Sequence, residues 1–291
     1  MRNRALAIPY VVWMALFVIA PLILIVIYAF TAKDGGVTLS NFSKMGQYFP
    51  AFRHSFVLAV IATLICILIG YPLAYFLSKE SVMVRKVAMM LIMLPMWMNF
   101  LLRTYSWMSI LENNGLLNQL FQQIGLIDLY NQIAMHFASD PAAYVPIDHF
   151  QMIGTQGAVV LGMVYNYLPF MILPIYSVLV KLDHSLIEAA RDLGASSVQV
   201  FRKVILPLSL PGVLSGITMV FVPSVSTFAI SRLLGGGTQM MLGDLIEQQF
   251  LGGAYNPQLG AAIALVMMAI VVVCMLVMNR FGDGEEQAVM L

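Results

Sequence analysis

Charge is what this sequence has least of. Of its 291 residues only 10% are Asp, Glu, Lys or Arg, while 60% are hydrophobic. A net charge of +1 points to neither a nucleic-acid binder nor a polybasic surface protein. Cysteine is almost missing too: Cys66 and Cys274 both fall inside apolar runs, where they read as small packing residues rather than a disulfide or redox pair. The four histidines are scattered, with no His/Cys spacing of a metal site, so no metal is expected. That scatter also tells against a membrane-embedded enzyme. No Gly-Lys pair occurs, so the phosphate-cradling G-x-x-x-x-G-K-[ST] loop is absent. LLGGGTQ at 233–239 is glycine-rich but lacks a lysine, and reads as a flexible turn. The apolar runs hold almost no carboxylates and no internal repeat is evident, against the pattern of an ion-driven secondary transporter.

The long uncharged runs are what the sequence does have. Ala5–Ala32, Ser55–Ser78, Gln156–Val180, Val204–Ser231 and Gln248–Asn279 each exceed the ~20 residues that cross a bilayer. A shorter run, Val87–Leu102, continues past Arg103 to Ile110. The chain therefore reads as one all-α integral membrane domain over 1–291, with six transmembrane helices near 8–30, 56–78, 87–110, 156–180, 210–232 and 258–279. The apolar part after MRNR is too long for a signal-peptide core of ~7–15 residues, so it reads as an uncleaved first span. With the N-terminus cytoplasmic, Arg2, Arg4, Lys79, Arg85, Lys86, Lys181, Arg191, Arg202, Lys203 and Arg280 lie inside. Lys33, Lys44, Arg53 and Arg232 lie outside, with Arg103 near the outer end of span three, so both termini are expected inside.

The largest outer loop, 112–155, has no Lys or Arg but holds Glu112, Asp128, Asp140 and Asp148. Outer loops are short of Lys and Arg in any case; the alternative is an anionic vestibule that favours cations. GLLNQLFQQIGLI in this loop and MLGDLIEQQFL before span six both have the spacing of short interfacial helices.

The cytoplasmic loop 181–209 is the charged exception. Ser185 and Glu188 fit a capping box, Leu182, Leu186, Ala189/Ala190 and Leu193 follow at helical intervals, and Gly194 suits a helix end. Ser196 and Gln199 form a second box before the stripe Val198, Phe201, Val204/Ile205 and Leu208. Pro207 and Pro211 then bend the chain into span five. This describes helix, tight turn, helix, membrane.

Glu188–Ala190, Gly194 and Val204–Pro207 (EAA, three residues, Gly, nine residues, V-I-L-P) resemble the EAA loop of permease subunits of bacterial ABC importers, with Val204 where Ile is usual. The resemblance implies the type I ABC importer permease fold and a coupling helix that docks on a cytoplasmic ATPase. Glu188, Ala189, Ala190 and Gly194 would form the dock, flanked by Arg191 and Asp192, with Leu206 and Pro207 closing the motif. Implied partners are a second permease subunit, two ATPase subunits carrying ATP and Mg, an extracytoplasmic binding protein, and the lipid bilayer of the bacterial inner membrane. The chain itself would carry no cofactor and would not be an enzyme.

GYPLAYFLSK (70–79), LPMWMNFLLRTYSWMSILENNGLLN (94–118), YLPFMILPIYSVLVKLD (167–183) and LLGGGTQMMLGDLIEQQF (233–250) are similar to the spermidine/putrescine permeases, the first of the two paired subunits. The loop segment Ala134–Thr155 departs by its length. The resemblance implies a polyamine; related permeases carry ferric iron, sulfate or molybdate. A polyamine presents ammonium groups between methylenes, which suits carboxylates, carbonyls and aromatic faces; a cation–π contact contributes roughly 0.5–2 kcal/mol. The pathway candidates are Trp97, Asn99, Tyr105, Trp107 and Glu112 around span three, Tyr165 and Tyr167 in span four, and Asp244 and Glu247 before span six. Interfacial Trp and Tyr and water-facing carboxylates would look the same. Arg103, costly at mid-bilayer, is expected to reach the outer interface or pair with a carboxylate.

Overall fold

The computed structural model describes residues 8–137, 144–253 and 255–289; Arg2, Arg4 and Asp140 lie outside them. In chain order the helices are α1 (Ile8–Phe30), α2 (Ser40–Lys44), α3 (Phe49–Lys79), α4 (Val82–Met93), α5 (Phe100–Leu111), α6 (Leu116–Gln123) and α7 (Leu126–Phe137). They continue with α8 (Gln156–Leu179), α9 (His184–Asp192), α10 (Ser197–Ser226), α11 (Ala229–Leu234), α12 (Leu242–Leu251) and α13 (Pro257–Val289). Among the described residues, five helical stretches are long and apolar enough to cross a membrane, or six if the bent pair after Ser81 is one span. The chain is an all-helical, multi-pass membrane protein.

Span three is not the straight helix that 87–110 suggested. A 3₁₀ turn begins at Leu94 with Pro95 in its first turn, and Met98 is extended. Asn99 then caps a new helix, its Oδ1 accepting from the amides of Leu101 and Leu102 at 2.8 and 3.3 Å. The two halves meet at 92°. Hydropathy is continuous across this point, but a side chain that satisfies the free amides of a first turn lets a helix start anywhere.

Span five differs in the opposite sense. The second coupling helix and the span are one helical stretch, Ser197–Ser226, with a π segment at Phe201–Ile205. Pro207 stands near the start of its α segment. The helix ends at Thr227, which is extended, so 227–232 is not a continuation of the span.

The core centres on α3, α8 and α10, which meet around Met171, Ile172, Ile175 and Val220. Lipid supplies no hydrophobic drive between helices, so close fit has to hold them. Small residues supply it: a Cβ on Gly212 would come within 2.8 Å of the Pro174 carbonyl, and one on Gly216 within 2.7 Å of Met171 Sδ. Gly212 and Gly216 form a G-x-x-x-G spacing that lets α10 lie against α8. A buried bond from Tyr71 to Ser209, 2.8 Å between oxygens, ties α3 to α10. Cys66 is buried and Cys274 half-buried, and both are free thiols, as their apolar surroundings suggested.

Candidate functional site: the coupling segment

The segment after span four folds as two short helices joined by a glycine turn. Helix α9 starts two residues earlier than the Ser185–Glu188 box required. Asp183 is the N-cap, its Oδ1 accepting from the Ser185 amide at 2.9 Å, so the box at Ser185 does not form. Either residue caps well; Asp183 wins because its carboxylate also meets the positive end of the helix. That hydrogen bond holds the Asp183 carboxyl below its ordinary range.

At the other end the chain forms a Schellman motif. The Ala195 amide donates to Ala190 O at 3.0 Å and the Gly194 amide to Arg191 O at 2.8 Å. This closure needs a left-handed residue, and Gly194 provides it at φ +79°. Ser196 and Gln199 then make the reciprocal capping box that the sequence predicted.

The segment is held against the bundle by one side only. Leu182, Ile187, Ala190, Ala195 and Val200 pack into the cluster of Tyr71, Ala74 and Leu179. Phe201 stands edge-on to Tyr71 and Tyr75, with ring centroids 5.9 and 5.4 Å apart. The stripe of Leu186, Ala189 and Leu193 faces outward, with Leu193 89% exposed. Glu188, Arg191 and Asp192 are exposed as well. Beside them a notch of about 340 Å³ is lined by Ala190, Leu193, Gly194, Gln199, Lys203 and Val204. Leu206 is exposed and Pro207 half-buried. Acid, alanine, leucine and notch thus form one uncovered face at the end of the bundle.

The pathway candidates are not brought together. Trp107 and Tyr165 meet edge-to-face at 5.3 Å. Trp97 and Tyr105 do not join them: Trp97 is 76% exposed on the 3₁₀ turn, and Tyr105 is exposed on α5. Asn99 is occupied as a helix cap, and Glu112 is exposed at the end of α5. Asp244 does not face water. It is buried at the start of α12, where its Oδ2 accepts from both Ser231 Oγ and the Met241 amide. Burial pushes its carboxyl up from the ordinary value. Glu247 is bound to Arg232 in a two-oxygen ion pair, at 2.8 and 2.6 Å.

Arg103 pairs with no carboxylate among the described residues. It is 8% exposed, and its Nε and Nη1 have no partner. Asn166 on α8 is also buried, with Oδ1 unpartnered. The two interfacial helices form as α6–α7 and α12, but α12 sinks Leu242 and Leu245 into the core beside Phe52 and Leu259.

The family model described as "Binding-protein-dependent transport system inner membrane component" matches residues 67–284. The spermidine/putrescine transport system permease protein PotB of Escherichia coli (strain K12) is 36% identical over 276 residues, covering 92% of this chain and 93% of that protein. A crystal structure of a bacterial ABC transporter that imports the acidic polysaccharide alginate contains a chain with a TM-score of 0.76 at 17% identity, covering 96% of this chain and 94% of that one. The alginate transporter in complex with its pentasaccharide-bound periplasmic protein gives a TM-score of 0.74 at 16% identity, covering 95% and 92%.

Proposed function

Because the chain belongs to the inner membrane component family of binding-protein-dependent transport systems, we propose that its coupling face receives force from a partner ATPase and that its cargo is a polyamine. It is the permease subunit of an ABC importer and not itself an enzyme. The observation that carries the coupling reading is the uncovered face of Glu188, Ala189 and Leu193 beside its notch, at the end of a helix pair packed against α3 and α10. Displacement of that face moves Phe201 and, through the uninterrupted stretch Ser197–Ser226, the far end of span five.

The assembly is a second permease subunit, two ATPase subunits that hold ATP and Mg, and a binding protein on the outer side. Six spans with both termini cytoplasmic put the coupling face inside, with the broken third helix counted as one span. Likeness to PotB across the chain favours spermidine or putrescine. The test is uptake of labelled spermidine by the reconstituted complex, with putrescine, ferric and sulfate ligands as competitors. Competition by putrescine alone is expected; displacement by ferric or sulfate ligands would reassign the cargo.

A further inference from the structure

At the end of the bundle away from the coupling face, the start of α3 and the middle of α13 enclose a groove of about 640 Å³. That volume lies within the ~300–1,000 Å³ of ordinary small-molecule sites. Its walls are Met45, Phe49, Phe52, Phe56, Val266 and Ile270, and its one charged lining residue is Arg53. Lys44 stands one residue before this wall.

Both cations are exposed, and neither has a carboxylate partner among the described residues. Arg232, the other cation assigned to this side of the bundle besides Lys33, is bound to Glu247. One cation without a carboxylate partner therefore lines hydrocarbon walls, and a second precedes them by one residue in the chain, in a protein whose flanks face a bilayer. An anion with no apolar part would leave the groove empty, and a bare apolar helix would leave both cations unanswered. A molecule carrying an acyl chain and an anionic headgroup on one backbone satisfies both.

We propose that this groove is a binding site for an anionic phospholipid, with an acyl chain between α3 and α13 and the headgroup phosphate on Arg53 and Lys44. The inference requires only that the chain crosses a bilayer and stands whatever the transported cargo. A basic side chain near an anionic lipid surface contributes about fivefold in affinity. Selectivity for an anionic over a zwitterionic headgroup follows, and it resides in these two residues.

The test is native mass spectrometry of the assembled importer, titrated in mild detergent with phosphatidylglycerol, phosphatidylcholine or inorganic phosphate. The expected result is retention of phosphatidylglycerol at concentrations at least tenfold below those needed for phosphatidylcholine, with no retention of phosphate alone. The double variant Lys44→Gln, Arg53→Gln is expected to reduce phosphatidylglycerol to the level of phosphatidylcholine, and Val57→Trp to weaken both by narrowing the groove. Equal retention of the two lipids by the unmodified complex would overturn the proposal. So would a preference that survives in the double variant, or a Val57→Cys thiol that cross-links to the partner permease, which would show that a protein helix fills the groove.

Discussion

Arg103 and Asp244 are both charged in sequence and buried in the structure, and their surroundings predict opposite responses to substitution. Arg103 makes no hydrogen bond through Nε or Nη1, so its desolvation is uncompensated within the chain. Arg103→Met is therefore expected to leave the thermal unfolding midpoint of the detergent-solubilised complex unchanged or raised. A loss of more than about 2 kcal/mol would mean that the guanidinium is paired. Asp244 directs one oxygen at two donors. Asp244→Ala loses the cap and the Ser231 bond and is expected to cost about 1–3 kcal/mol. Asp244→Asn keeps both through its amide oxygen. Because burial raises the Asp244 pKa, the folded state holds that proton more tightly than the unfolded chain does. Its contribution favours the fold at acid pH and is lost as pH rises from ~3.9 through the raised folded value. The Asn variant is thus expected to match the unmodified protein in acid and to equal or exceed it at neutral pH, read by thermal unfolding across pH. Asp183 works in the other sense: its lowered pKa supports α9 above the carboxylate range, and that support is lost as pH falls through the lowered folded value.

Among the elements, what the sequence disclosed and what it hid divide along physical lines. Long apolar runs announced α1, α3, α8 and α13, because crossing length is a property of composition. The Gly194 turn and the Ser196–Gln199 box were legible because a left-handed glycine and a reciprocal cap each have a short signature. The break at Asn99 was not: a hydropathy window sums transfer energies and does not register one amide oxygen that caps the next helix. Nor was the end of span five at Thr227, which lies in a run as apolar as those on either side. The contact of α8 with α10 has a readable sign in Gly212-Val-Leu-Ser-Gly216 that carries neither charge nor an apolar stripe. Its consequence is testable. Gly212→Val would drive a side chain into the Pro174 carbonyl, a backbone atom that cannot move aside. A loss of about 1–3 kcal/mol is expected, read as a lower unfolding midpoint of the complex. Gly194→Val meets nothing within 4 Å, so its cost is backbone strain confined to the turn, and the span helices are expected to stay intact.

Taken whole, the proposed coupling makes the molecule a lever with its input at one end. The pathway candidates scatter within this chain, whereas the residues of the proposed coupling face lie together on one short segment. That face is joined to the bundle core by Phe201, Tyr71 and Ser209 and runs without interruption into span five. If the proposed coupling holds, substitutions at Glu188 or Gly194 are expected to act on transmission of force and to leave the membrane fold alone. The decisive measurement is substrate uptake and ATP hydrolysis by the same vesicles carrying the assembled importer with Glu188→Lys or Gly194→Val. The account predicts that both variants insert at normal levels, that uptake is abolished, and that ATP hydrolysis no longer responds to the loaded binding protein. Uptake at the unmodified rate in vesicles where the variants insert normally would contradict it.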